Sequence, residues 1–224
     1  MIRTILSLIC LLFFVGCEKV DQAATHDPDE SETVVLIVID LSTSFRPIMI
    51  KDGVAFEFVM HALHTYCSSR IGSKDRIVIA EISGETKSLL VDGTAQQLIE
   101  RFPDEAAFTK MLTEARPSGS LCHDGTAHAL EYLMMNRNVA SGKARSACLV
   151  ISDMADNGPN PEKSEKRLMD DFIEYTQMGG VIGLYYVDQL LMKKWHRNFK
   201  EAGFKMYTVE PDIHGRPALP RMVQ

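Results

Sequence analysis

The sequence predicts an α/β domain with a doubly wound, mainly parallel sheet and helices on both faces. Three observations predict it. Short β-branched apolar runs, the mark of strands buried on both faces, recur at 34–39, 76–82, 147–152 and 181–187. Segments with apolar residues three and four apart separate them, so strand and helix alternate. Two of the apolar runs are closed by aspartates, Asp40 and Asp153, at the strand ends where sheets of this kind bind ligands.

The elements follow in order. The first strand, 34–39, reads VVLIVI and stops at Asp40. Residues 52–70 place Val54, Phe58, His61 with Ala62, and Thr65 with Tyr66 on one helical stripe. The second strand, 76–82, is followed by a short third one at 88–91 and a turn at Asp92-Gly93. Helices are expected over 94–102 and 104–115, the latter with acids in its first turn, where the helix dipole favours them. A helix over 125–136 leads to the buried strand 147–152, which reads ACLVIS. The amphipathic helix at 162–178 stops at Gly179-Gly180, a C-terminal signal. A strand at 181–187, a helix at 190–202 and a strand at 204–209 complete the domain, and no internal repeat is visible.

Composition narrows the class. Of 224 residues, 46% are hydrophobic and 24% charged, which excludes collagen-like and largely disordered chains. No run reaches the roughly 18–20 apolar residues of a membrane span. A net charge of −6 argues against nucleic acid as the partner, since such binders present a basic face.

The front end is different from the rest. Residues 1–16 carry one charge, Arg3, ahead of an apolar stretch from Ile5 to Val15, the layout of a secretory signal peptide. Phe14-Val15-Gly16-Cys17 resembles the lipobox of bacterial lipoproteins, which implies lipid attachment at Cys17 and export to the cell envelope, inner or outer membrane left open. Residues 17–32 then form an acidic tether: 18–32 hold six acids and one lysine, too little apolar surface to fold. The folding part spans 33–210, and the tail 211–224, with Pro211, Pro217 and Pro220, is extended and free to wrap the domain or meet a partner. With Cys10 removed and Cys17 lipidated, Cys148 reads as a core residue, and Cys67 and Cys122 are left as the one pair able to form a disulfide.

The chemistry gathers after the first strand. Asp40-Leu41-Ser42-Thr43-Ser44 puts a carboxylate and two hydroxyls on one side of a strand-to-helix turn. Asp153 adds a second carboxylate from another strand end. Hard oxygen donors of this kind suit Mg²⁺ or Mn²⁺, with open positions for water or an outside ligand. Asp40-x-Ser42-x-Ser44 with Asp153 resembles the metal-ion-dependent adhesion site of von Willebrand factor type A domains, a Rossmann-like fold. The resemblance runs over about residues 33–210 and implies a divalent-metal-dependent module that binds a protein partner through an acidic residue. The family's threonine position falls on Asp124, while Thr126 lies two residues further on; both stand as candidates for that ligand position. Met154 stands where the family has glycine.

Other chemistries fare worse. Cys122-His123-Asp124 has the residue types of a thiol-protease triad, but adjacent residues cannot all face one substrate atom. His61 and His64 read as surface or packing, and Trp195-His196 as helix packing. A phosphatase of the haloacid dehalogenase type needs a second acid two residues after Asp40, where this chain has Ser42. The expected function is therefore a non-enzymatic binding module, ahead of a scaffold with a vestigial metal site and of a metal-dependent phosphohydrolase.

Overall fold

The computed structural model describes residues 31–50, 52–68, 71–82, 89–115, 121–211, 217–220 and 222. Signal peptide, Cys17 and nearly all of the tether lie outside the described residues. In chain order the elements are β1 (Thr33–Ile39), α1 (Arg46–Met49), α2 (Val54–Cys67), β2 (Arg76–Glu81), β3 (Leu89–Thr94), α3 (Ala95–Arg101), α4 (Glu105–Glu114), α5 (Cys122–Met134), α6 (Arg137–Ala140), β4 (Arg145–Ile151), α7 (Pro161–Gln177), β5 (Val181–Tyr185), α8 (Gln189–Glu201) and β6 (Tyr207–Glu210).

The strands form one sheet in the order β3-β2-β1-β4-β5-β6. All neighbours pair parallel except β3, which runs antiparallel to β2 at one edge. Every residue of β1 is buried, because its alternate side chains feed two separate cores. Val35, Ile37 and Ile39 pack with Phe58, Val59 and Phe108 on the α1–α4 face. Val34, Leu36 and Val38 pack with Leu130, Phe172 and Trp195 on the α5, α7 and α8 face. No described helix is long and apolar enough to cross a membrane.

The short helices α1 and α6 are not among the expected elements, the last strand starts later than expected, and three further departures have a visible cause. The turn at Asp92-Gly93 is instead strand: Asp92 lies opposite Val78, and its carboxylate accepts hydrogen bonds from the Arg76 guanidinium and the Tyr132 hydroxyl. A cross-strand ion pair thus holds a turn-prone dipeptide extended. Helix α5 begins at Cys122, three residues early, which puts Asp124 inside its first turn, where an acid is favoured. The Cys67–Cys122 bridge is absent: both thiols are free, because Cys67 belongs to the α1–α4 face and Cys122 to the opposite one.

The described residues of the tail, 217–220 and 222, meet the α1–α4 face. The Tyr185 hydroxyl donates to the Ala218 carbonyl at 3.0 Å and that of Tyr66 to the Pro220 carbonyl at 3.5 Å. Leu219 and Met222 pack against the same apolar cluster as α2.

Helices α5 and α7 meet along a charged seam. Arg167 donates to Glu131 at 2.6 Å and lies 3.7 Å from Asp124. One turn along α7, the Asp171 Oδ2 is buried with no hydrogen-bond partner among the described residues. Burial pushes its carboxyl up to about 6; Glu131, Glu174 and Asp170 add to the rise, and Arg167 opposes it. A carboxyl raised on folding binds more protons in the folded state, so its cost appears as pH climbs from about 4 through about 6. Asp171→Asn should be more stable than wild type at pH 7.5 by about 1 kcal/mol, the full shift being discounted because the group is partly solvated. Urea unfolding across pH should show that gap closing below about pH 4; a gap independent of pH would assign it to packing.

Candidate functional site

Strands β1 and β4 are neighbours although far apart in sequence, so the strand order reverses between them. Crevices form at such reversals, at the carboxyl ends of the strands. Ile39 is in register with Ile151, and the Asp40 N–H continues the ladder to the Ile151 carbonyl at 3.0 Å. Asp40 is therefore level with Ser152.

Asp40 is fully buried. Its Oδ1 accepts from the Ser42 N–H and its Oδ2 from the Ser152 hydroxyl, each at 2.8 Å. The Ser152 Oγ in turn accepts the Met154 N–H at 2.9 Å and lies 3.4 Å from the Cys122 thiol. Ser42 is buried beside Asp40, with its Oγ 3.4 Å from that of Ser44, which is exposed. One buried carboxylate and a graded pair of hydroxyls thus gather at the carboxyl end of β1.

Asp153 leaves the neighbouring strand. Its Oδ1 accepts the Ala155 N–H at 2.8 Å, and its carbonyl takes the Asp188 N–H at 3.0 Å. Burial pushes the Asp153 carboxyl above its usual range; the Ala155 N–H opposes this, and the charges of Asp40 and Asp188 add to it. Two carboxylates thus repel each other through poorly solvated space, a cost that a cation between them removes. Two carboxylates and two hydroxyls are all hard oxygens, the donor chemistry of Mg²⁺ or Mn²⁺, with water in the remaining positions. The side chains at this end of the sheet fit such an ion.

The remaining candidates sit elsewhere. Asp124 is half-buried on α5 and ion-paired to Arg167. Thr126, two residues on and on the opposite side of α5, is fully buried, its hydroxyl without a hydrogen-bond partner among the described residues. Among the described residues no three His, Cys, Asp or Glu side chains group to hold an ion. The Cys122-His123-Asp124 side chains diverge: toward Ser152, toward Asp156 and toward Arg167. His123 is buried edge-on to Trp195, its Nδ1 3.1 Å from Asp156. Burial raises Asp156, but His123, the Gly158 N–H and the Ser164 hydroxyl outweigh it and hold the carboxyl below its usual range.

Ser152 is the residue that sequence reasoning missed. A serine before a strand-terminal aspartate is unremarkable alone; only the β1–β4 register makes it the clamp on Asp40. The Asp156–His123–Ser164 cluster, bracing the segment after β4 against α5 and α7, also needed the tertiary arrangement.

No protein-family model matches the chain, and no curated protein matches it in sequence. Its likenesses are structural. The manganese-loaded TRAP protein of Plasmodium vivax superposes with TM-score 0.50 at 15% identity, over 81% of this chain and 68% of that one. The pilus adhesin SpaC of Lactobacillus rhamnosus GG gives TM-score 0.51 at 12% identity, over 81% of this chain and 28% of that one. The chain has a von Willebrand factor type A-like fold. A matrix protein of the mussel byssus, at TM-score 0.43 and 13% identity, is more distant; this chain spans only 38% of its length.

In this type A-like fold Met154 holds a left-handed backbone, φ 61°, beside the strand-terminal Asp153. Such strain costs about 1–3 kcal/mol in a non-glycine residue. The Met154 side chain is 1% exposed, with its sulfur 3.7 Å from the Cys122 thiol. Deleting a buried methionine costs about 2–5 kcal/mol, which outweighs the strain relieved. Met154→Gly should therefore lower stability by about 1–3 kcal/mol in chemical denaturation; a net gain would mean that backbone strain dominates here.

Proposed function

We propose that this protein is a lipid-anchored component of the cell envelope. Its type A-like domain binds another protein through Mg²⁺ or Mn²⁺ held by Asp40, Ser42, Ser44 and Asp153. The observation that carries the reading is the placement of Asp40 and Asp153 at the carboxyl ends of the neighbouring strands β1 and β4, with Ser42 and Ser44 following Asp40. Bound there, a divalent cation supplies an electrophilic position for a carboxylate oxygen of the partner. The chain's own side chains do the rest. Ser152 and the Ser42 N–H orient Asp40, and Ala155 orients Asp153. Beside the loop runs a groove of about 790 Å³ lined by Leu41, Thr43, Arg46 and Ile50. Arg46, donating to the Thr113 carbonyl at 2.9 Å, adds a positive charge suited to an acidic partner. Two structural neighbours, one manganese-loaded and one a pilus adhesin, accord with this reading.

A binding role is favoured over phosphoryl chemistry because Ser42 stands where the leaving group would need an acid. Asp124 and Thr126 are the alternatives for a further ligand. The Arg167 contact of Asp124 favours a second reading, a scaffold whose site no longer closes around an ion.

Titration calorimetry and thermal unfolding with Mg²⁺ and Mn²⁺ separate the two readings. The metal reading expects saturable binding and a rise in Tm, with about 2.7 kcal/mol of added stability at a hundredfold excess over Kd. Asp40→Ala and the milder Asp153→Asn should abolish both effects. A wild-type protein that gives neither heat nor a Tm shift leaves the scaffold. For the anchor, Cys17→Ser should move the protein from the membrane to the soluble fraction, and membrane retention would refute lipid attachment at Cys17.

A further inference from the structure

Away from the strand ends, the α1–α4 face opens an apolar groove of about 470 Å³ between the end of α2 and the α3–α4 turn. Its floor is made by Leu63, Leu98, Phe102 and Phe108. At its mouth stand two of the large apolar side chains this protein leaves in water, Ile71 at 58% and Ile99 at 43% exposure. A second depression of about 330 Å³ continues it toward the start of α2, sharing Met60, His64 and Glu105. Together they follow one stripe of α2 from Phe56 to Cys67, about 16 Å at the helical rise. That is a trough for a rod, two to three helical turns long.

The rim has a sign. Asp104 and Glu105 border the first depression; Asp52 and Glu57 border the second, with Glu105 between them. The Phe102 ring at its edge is covered by the chain's own Arg101 guanidinium, 5.3 Å from the ring centre. Apolar floor and acidic rim complement an amphipathic segment with basic flanks. The same acidic rim disfavours an anionic bilayer surface, which attracts basic patches. We infer that the α2–α4 groove is a docking site for a basic amphipathic helix of a partner protein, separate from the strand-end site and independent of any metal.

A fluorescein-labelled peptide of about 14 residues, with leucine and lysine at helical spacing, tests this against the full-length chain by anisotropy. A leucine and glutamate peptide of the same spacing is the control. Wild type should bind the lysine peptide saturably at one site and the glutamate peptide at least tenfold more weakly. Ile99→Glu should weaken lysine-peptide binding tenfold or more although it adds a negative charge, and Glu105→Gln should weaken it less and reduce its salt dependence. Binding by Ile99→Glu equal to or tighter than wild type would show attraction to an acidic protein and overturn the site. So would no binding by wild type, or equal binding of both peptides. Capture of phosphatidylglycerol vesicles by wild type that Ile99→Glu loses would assign the groove to lipid instead. Should Ile99→Glu fail to fold, Ile71→Asp, at the more exposed mouth position, is read in the same way.

Discussion

Parallel pairing of β1 with β4, in register from Thr33–Arg145 to Ile39–Ile151, is the constraint on which the rest of the structure depends. It joins two runs more than a hundred residues apart and puts the order reversal of the sheet between them. The same pairing sets Asp40 level with Ser152, whose hydroxyl reaches it at 2.8 Å. A fully buried carboxylate is costly unless its oxygens are hydrogen-bonded, and here both are, one by a backbone N–H and one by that hydroxyl. Ser152 also meets Cys122 and the Met154 N–H, so strand end, helix α5 and the segment after β4 are tied at one atom.

Around this knot the domain divides its acids into two groups. Some are matched locally: Asp92 by Arg76, Asp156 by His123, Glu131 by Arg167. Others are crowded by like charges in half-buried surroundings: burial, with the charges of Asp40 and Asp188 added, raises the Asp153 carboxyl, and burial, with Glu131 added and Arg167 opposing, raises that of Asp171. Of these two crowded carboxyls, the first lies at the carboxyl ends of the strands, near the Ser42 and Ser44 hydroxyls. That difference in position, more than the amount of negative charge, separates a candidate cation site from a strained helix seam.

The two faces of the sheet are covered differently. On one, α5, α7 and α8 close a core rich in edge-on rings: Trp195 meets His123, Phe172 and Phe199. On the other, α2 and the short helices α3 and α4 leave a trough, and residues 218 and 220 take up part of the covering through Tyr185 and Tyr66. Short helices joined at Phe102–Asp104 cannot interdigitate with α2 over a long ridge, so the apolar floor between them stays open to solvent. The strand-end site and the groove thus arise from separate features of one chain.

What the sequence determined by itself was the fold class, the alternation of strands and helices, and the aspartates at two strand ends. All three follow from local pattern: β-branched runs of six or seven residues admit little but buried strands, and an aspartate closing such a run marks the strand's end. Boundaries were less legible. Asp92-Gly93 reads as a turn until the Arg76 guanidinium reaches Asp92 diagonally from β2, and α5 starts at Cys122, where Asp124 suits a helix's first turn and finds Arg167 on α7. Spacing alone also left Cys67 and Cys122 free to pair, whereas the sheet keeps them on opposite faces. Only the tertiary structure decided which groups meet Asp40, which carboxylate Arg167 engages, and where the apolar groove opens. Those outcomes depend on contacts between segments distant in the chain, and pairing energies of that kind leave no periodic trace in the sequence.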